Sequence, residues 1–159
     1  MTDKTVIIIP ARYASTRFEG KPLAMLTGST GARKSLIQRS WETACDVPSV
    51  DGIFVATDDQ RIADAVHNFG GQVIMTSQNC RNGTERVAEA VQKLPEPADI
   101  VVNLQGDAPL TPPWFITALI DEMKGDSTVE MATPVLRCDG LTLNMFREDR
   151  RNGRVGGTT

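Results

Sequence analysis

The stretch Ile7-Ile8-Ile9-Pro10-Ala11-Arg12-Tyr13-Ala14-Ser15-Thr16-Arg17-Phe18-Glu19-Gly20-Lys21-Pro22-Leu23 decides how the rest of the chain is read. Thr5 to Ile9 is continuously apolar rather than alternating, the pattern of a strand covered on both faces in a parallel sheet. Pro10 has no N–H to give a ladder and is expected to close that strand. Arg12, Arg17 and Lys21 then follow within ten residues, with Gly20 and Pro22 flanking the lysine. A buried strand feeding directly into a cationic loop suits phosphate, because backbone amides and fixed cations gather at the carboxyl edge of a sheet. Arginine grips phosphate oxygens as a fork and lysine acts as a point charge. Gly20 lets backbone come close, and Pro22 keeps Lys21 extended. The plainer alternative is a solvated basic loop, and the position straight after a buried first strand weighs against it. The loop is read as one that holds a nucleoside triphosphate. It is not a Walker-type loop. Gly20-Lys21 is followed by Pro22 with Ser15 at the first glycine position, and Gly28 with Lys34-Ser35 has Arg33 where glycine is required.

Outward from this loop, helices and strands alternate. Ser35 to Ala44 puts Leu36, Ile37, Trp41 and Ala44 on one helical face, after a flexible Gly/Thr/Ser patch at Thr27 to Gly31. Gly52 to Thr57 reads as a strand, and Asp59 to Phe69 as a helix stopped by Gly70-Gly71. Gln72 to Met75 is a short strand. Asn82 and Glu85 suggest a capping box for a helix from Gly83 to about Leu94, with Val87, Ala88, Val91 and Leu94 inward. Asp99 to Gln105 is a strand that breaks at Gly106-Asp107. Thr111 and Pro112 look like the N-cap and first position of a helix reaching Gly125. Glu130 to Leu136 is expected as a fifth strand, at an edge or with a bulge because of Pro134. Beyond Cys138 the pattern weakens, Asn152-Gly153 suggests a hairpin turn, and the chain is expected to be a domain of something longer. The alternation predicts an α/β three-layer αβα sandwich with a mostly parallel sheet.

Composition fits one globular domain: 159 residues, 40% hydrophobic and 23% charged. A net charge of −3 disfavours a general nucleic-acid binder, so the local cationic cluster points to a small anion. Cys45, Cys80 and Cys138 are widely spaced, which makes neither a disulfide framework nor a zinc site and suits a reducing cytoplasm. The apolar run near the N-terminus is too short for a membrane span, and no membrane association is expected.

The words Pro10-Ala11-Arg12-Tyr13-Ala14-Ser15-Thr16-Arg17 and Gly20-Lys21-Pro22-Leu23 closely resemble the opening motif of the 3-deoxy-manno-octulosonate cytidylyltransferases, the CMP-Kdo synthetases. The resemblance continues through Val55-Ala56-Thr57-Asp58, Gly83-Thr84-Glu85-Arg86 and Gln105-Gly106-Asp107. It implies a Rossmann-like nucleotide-diphospho-sugar transferase fold. The hydroxyl of an eight-carbon sugar acid would attack the α-phosphate of CTP and release pyrophosphate with Mg²⁺ assistance. By that likeness Arg12, Arg17 and Lys21 hold the triphosphate, with Arg12, Lys21 and Asp107 as the catalytic set. Asn82, Gly83, Thr84 and Arg86 lie near the cytidine, and Gln105 near the sugar acid. Asp107 is the implied Mg²⁺ ligand; Mg²⁺ prefers one or two carboxylates plus phosphate oxygens, and the carboxyl end of a central strand is where ligands bind in open α/β sheets. A turn or N-cap aspartate is the plainer reading of the same residue.

Glu19 stands where that family commonly has proline, Asn82 replaces a serine, Ala108 replaces a glutamate, and Gly28 to Lys34 is longer than the family's turn. Another sugar or sugar acid, or a non-catalytic nucleotide-binding domain, stays open as an alternative. Members of the family run longer, and the remainder would carry a second metal-binding aspartate, more of the sugar pocket and a homodimer surface. The chain alone is therefore expected to turn over poorly. His67 and Asp59 are read as a surface residue and a helix cap, Asp58 as a residue at the ligand edge, and Trp41 and Trp114 as packing residues.

Overall fold

The computed structural model describes residues 3–14, 18–135 and 137–151. Among them the strands β1 (Thr5–Ala11), β4 (Gly52–Thr57), β5 (Gln72–Met75) and β6 (Ile100–Asn103) form a parallel sheet in the order β5-β4-β1-β6. The chain steps outward from β1 to β4 to β5 and then crosses back to place β6 on the other side of β1. Two strands inserted between β1 and β4, β2 (Met25–Thr27) and β3 (Arg33–Ser35), pair antiparallel as a separate hairpin. The helices are α1 (Leu36–Cys45), α2 (Gln60–Asn68), α3 (Gly83–Val91), α4 (Pro113–Gly125) and α5 (Gly140–Arg151).

β1 shows why the sheet is covered twice. Its side chains alternate across the sheet, so Ile7, Ile9 and Ala11 pack with Ile37, Ala44, Ile62, Val66, Ile116 and Ile120 from α1, α2 and α4. Val6 and Ile8 pack on the opposite face with Phe54, Ala56, Ile74, Val87 and Ala90, the last two from α3. Every residue of β1 is buried. The expected three-layer α/β sandwich with a parallel sheet is the observed one.

Pro10 does not close β1; it pairs opposite Ala56 inside the strand. The Ile8 carbonyl accepts from Leu104 N at 3.1 Å and so faces β6. Two residues on, Pro10 faces the same way, past Asn103 where β6 has already ended. No ladder hydrogen bond is lost there, so the proline is tolerated.

Other elements depart from their expected bounds. The patch at Thr27 to Gly31 is a structured hairpin turn, closed by Gly28 N donating to Ala32 O at 2.9 Å, with Gly31 at φ 80°. Arg39 of α1 donates to the carbonyls of Leu26 and Ala32, both at 3.0 Å, and braces it. α3 ends at Val91 rather than Leu94, and Ala88 faces solvent while Arg86 and Ala90 turn inward. α4 is capped by Pro112, one residue later than expected. Residues 130–135 form no strand; Met131 and Val135 are 82% and 85% exposed, with no neighbouring strand among the described residues. Residues 140–151 are helical where the periodicity had faded, and the Asn152-Gly153 turn lies outside the described residues. No described helix is long and apolar enough to cross a membrane.

Candidate functional site

In an open parallel sheet the chain leaves neighbouring strands in opposite directions at one point of the strand order, and the crevice there receives ligands. Here that point lies between β1 and β6. A cleft of about 250 Å³ opens at their carboxyl ends. One wall is the exit of β1, Pro10 to Arg12, continued by Lys21 and Pro22; the facing wall is Gln105, Gly106 and Asp107 after β6. Leu36 and the segment Arg81 to Gly83 with Arg86 complete it.

Local chemistry brings these walls close. A Cβ on Gly106 would meet the Pro10 carbonyl at 2.8 Å, so only glycine lets the two exits approach. Ser40, buried on α1, donates its hydroxyl to Gly106 O at 2.9 Å, and Thr43 does the same to Pro109 O at 3.0 Å. The loop after β6 is thus hung from α1. Neither hydroxyl was singled out from the sequence. The available signal was Ser40, a polar residue on the otherwise apolar stripe of Leu36, Ile37 and Ala44.

On the other side, Gly20 N donates to Tyr13 O at 2.9 Å and Gly20 sits at φ 68°. Lys21 to Leu23 then makes one turn of 3₁₀ helix with Pro22 in its first turn, so Lys21 opens a helical turn and is not held extended as expected. This delivers Lys21 across the cleft, where its Nζ lies 2.5 Å from Asp107 Oδ2. Both side chains are about half exposed, at 44% and 52%. The cation and carboxylate singled out from sequence, 86 positions apart, are therefore direct partners. Arg12 is exposed at the cleft edge, and Arg17 lies outside the described residues.

Asn82 caps α3, its side chain accepting from Glu85 N at 2.9 Å, so the first turn of the helix opens on the cleft at Gly83. The reciprocal half of the capping box is displaced: Glu85 accepts from Arg81 N at 2.9 Å. Thr84 follows in that turn and is exposed. Gln105 is also exposed, donating to Asn103 Oδ1 at 3.1 Å. Arg86 is 2% exposed. Its Nη1 donates to Thr76 Oγ1 at 2.5 Å and lies 3.3 Å from Asp58 Oδ1, a charge pairing without hydrogen-bond geometry. Arg86 thus joins α3 to the ends of β4 and β5 from inside the wall.

Among the described residues no cluster of three or more acidic, histidine or cysteine side chains could hold a metal by itself. A single carboxylate on an open cleft, as at Asp107, fits Mg²⁺ that takes its remaining ligands from phosphate and water. Asp59 caps α2 as expected, accepting from Arg61 N at 2.9 Å, and His67 is exposed. The Arg61 guanidinium and backbone hold the Asp59 carboxyl below its ordinary range. Trp41 packs on Phe69 with ring centroids 5.1 Å apart, whereas Trp114 is 68% exposed at the start of α4.

The chain resembles known proteins in sequence and in fold. A sequence model of the cytidylyltransferase family matches residues 6–142. The chain is 51% identical over 152 residues to a 3-deoxy-manno-octulosonate cytidylyltransferase of Maricaulis maris, covering 96% of this chain and 57% of that protein. It is 47% identical over 147 residues to the mitochondrial 3-deoxy-manno-octulosonate cytidylyltransferase of Arabidopsis thaliana, covering 91% of this chain and 49% of that one. Among solved structures it superposes with a TM-score of 0.73 and 43% identity on CMP:2-keto-3-deoxy-manno-octonic acid synthetase complexed with CTP, covering 79% of this chain and 49% of the other. A cytidylyltransferase of Leptospira borgpetersenii, at 21% identity and a TM-score of 0.62, shares the fold. The chain spans about half the length of the curated relatives it matches.

Proposed function

Because this chain belongs to the cytidylyltransferase family, we propose that it forms the CTP-binding part of an enzyme that couples CTP to a sugar acid of the Kdo type, giving CMP-sugar and pyrophosphate. The observation that carries the reading is the cleft between β1 and β6, where Lys21 and Asp107 meet across the two strand exits. Arg12, Arg17 and Lys21 bind the triphosphate. Fixed cations at that place neutralise charge already on the phosphates and the charge that builds on departing pyrophosphate. Asn82, Gly83 and Thr84 place unpaired amides of the first turn of α3 toward the nucleotide. Arg86 holds that turn against the ends of β4 and β5, and Gln105 meets the sugar acid.

Asp107 would hold Mg²⁺, whose charge draws electron density from the phosphoryl oxygens when bound. Lys21 pairs with Asp107 across the cleft, and on this reading the pair must separate when phosphate takes the lysine. No protein nucleophile is needed for a direct attack by a sugar hydroxyl. Three free thiols fit a reducing, cytoplasmic setting, and a homodimer is the assembly we infer for the longer protein.

Calorimetric titration with CTP, UTP, ATP and GTP, with and without Mg²⁺, tests the reading. Mg²⁺-dependent binding with CTP preferred is the expected result. A preference for another base overturns the cytidine assignment, and metal-independent binding overturns the catalytic role of Asp107.

A further inference from the structure

Immediately inside Arg12 and Lys21 lie the two residues that close the cationic loop, Tyr13 and Gly20, joined by the hydrogen bond from Gly20 N to Tyr13 O. The Tyr13 ring is in close contact with both Gly20 and Arg61. A Cβ on Gly20 would stand only 3.0 Å from the hydroxyl-bearing carbon of the ring, so the tyrosine closes over a position that only glycine leaves open. On the ring face the Arg61 guanidinium carbon sits 3.3 Å from the centroid. Arg61 is itself fixed: its Nε and Nη2 reach the two oxygens of Asp59 at 2.9 and 2.7 Å, a bidentate fork. Asp59 in turn is the N-cap of α2, an element whose Ile62, Ala63 and Val66 are buried in the core. A continuous chain of contacts therefore runs from a packed helix to the base of the loop that carries the cations.

We propose that Tyr13, Arg61 and Asp59 form a clamp that positions Arg12 and Lys21 for the triphosphate. This rests on the CTP-binding reading above. Arg61 is a positioning residue, because its charge is already matched by Asp59 and its face is turned to Tyr13. The clamp acts by removing loop freedom before the nucleotide arrives, so that less ordering remains to be done on binding. It places the determinants of nucleotide affinity partly on α2, outside the cleft.

The test is CTP titration, with Mg²⁺, of the parent chain and of Arg61→Ala, Tyr13→Leu, Tyr13→Phe and the Arg61→Ala/Tyr13→Leu pair. Asp59 is left intact because it also caps α2. Each of Arg61→Ala and Tyr13→Leu is expected to weaken CTP binding about three- to tenfold, the scale of a cation–π contact with its loop ordering. The double variant is expected to lose no more than the weaker-binding single one, because both remove one coupled contact. Tyr13→Phe keeps the ring and restores the affinity lost in Tyr13→Leu. Tyr13 is the only tyrosine, so fluorotyrosine incorporation gives one ¹⁹F line, and Arg61→Ala is expected to shift it before any nucleotide is added. If the parent binds CTP while both single variants bind equally well, or if their losses simply add, the clamp is wrong and the CTP reading stands. If the parent itself does not bind CTP, the CTP reading falls and the clamp's role with it.

Discussion

Arg86 shows how a buried charge divides site from scaffold. Its guanidinium faces Asp58, Thr76 and Ser77, and both partners of the charge pair are shielded, at 3% and 16% side-chain exposure. Removing one member of such a pair strands the other, which costs about 3–5 kcal/mol. Arg86→Ala is therefore expected to lower the urea-unfolding free energy by roughly 3 kcal/mol, with Asp58→Asn in the same chain recovering part of it. Equal stabilities of parent and variant would show that the pair contributes little. The motif resemblance implied a place for Arg86 near the cytidine, but nothing in the sequence turned it inward. Its direction depends on where β4 and β5 end, and no local pattern around residue 86 reports that. Lys21 stood out because it lies in a cationic loop just past a strand, whereas Asp107 stood out through the motif resemblance, its local sequence alone reading as a turn aspartate. Arg61 did not, since an arginine on the polar side of a helix looks like any solvated charge until Tyr13 is laid beside it.

At the scale of elements, local chemistry was readable wherever it sufficed to fix structure. The expected cap residues Asp59 and Asn82 each accept a hydrogen bond from a backbone amide in the first turn of their helix, as Ser35 does for α1. The β2–β3 hairpin was not readable, because its order comes from Arg39 reaching back from α1 to two carbonyls. The same holds for the segment after Ser77, which is stapled to α3 by Glu89. That carboxylate accepts from Lys93 Nζ at 2.7 Å, from Cys80 Sγ at 3.2 Å and from Ser77 N at 2.8 Å. Lys93 first, then Cys80 and the Ser77 amide, hold the Glu89 carboxyl down at about 2. A folded value below the unfolded one of 4.5 means that the ionised form is favoured by folding. Its contribution is complete above about pH 4.5 and is lost as pH falls toward about 2. Glu89→Gln is expected to lower the urea midpoint at neutral pH, with the gap to the parent narrowing as the solution is acidified through that range. A gap that is constant with pH would remove Glu89 as a titrating staple.

For the whole molecule, the strand order β5-β4-β1-β6 places the crossover beside β1, so the most buried strand also carries the cationic loop. The alternation of strands and helices made the layered α/β fold legible. The expected strand at 130–136 failed because alternation in sequence does not supply a neighbour, and α5 was missed because Leu141, Met145 and Phe146 remain exposed and mark no core-facing stripe. The central claim is that Lys21 and Asp107 are a binding pair at this crossover. Their half-exposed contact contributes at most about 1 kcal/mol to folding, so their removal should leave the thermal midpoint within about 4 °C of the parent. The most direct measurement is calorimetric titration of Lys21→Ala and Asp107→Ala with CTP and Mg²⁺. A loss of about tenfold or more in affinity for Lys21→Ala, together with loss of the Mg²⁺ dependence for Asp107→Ala, is the predicted result. Parent-like CTP binding in both variants would contradict it.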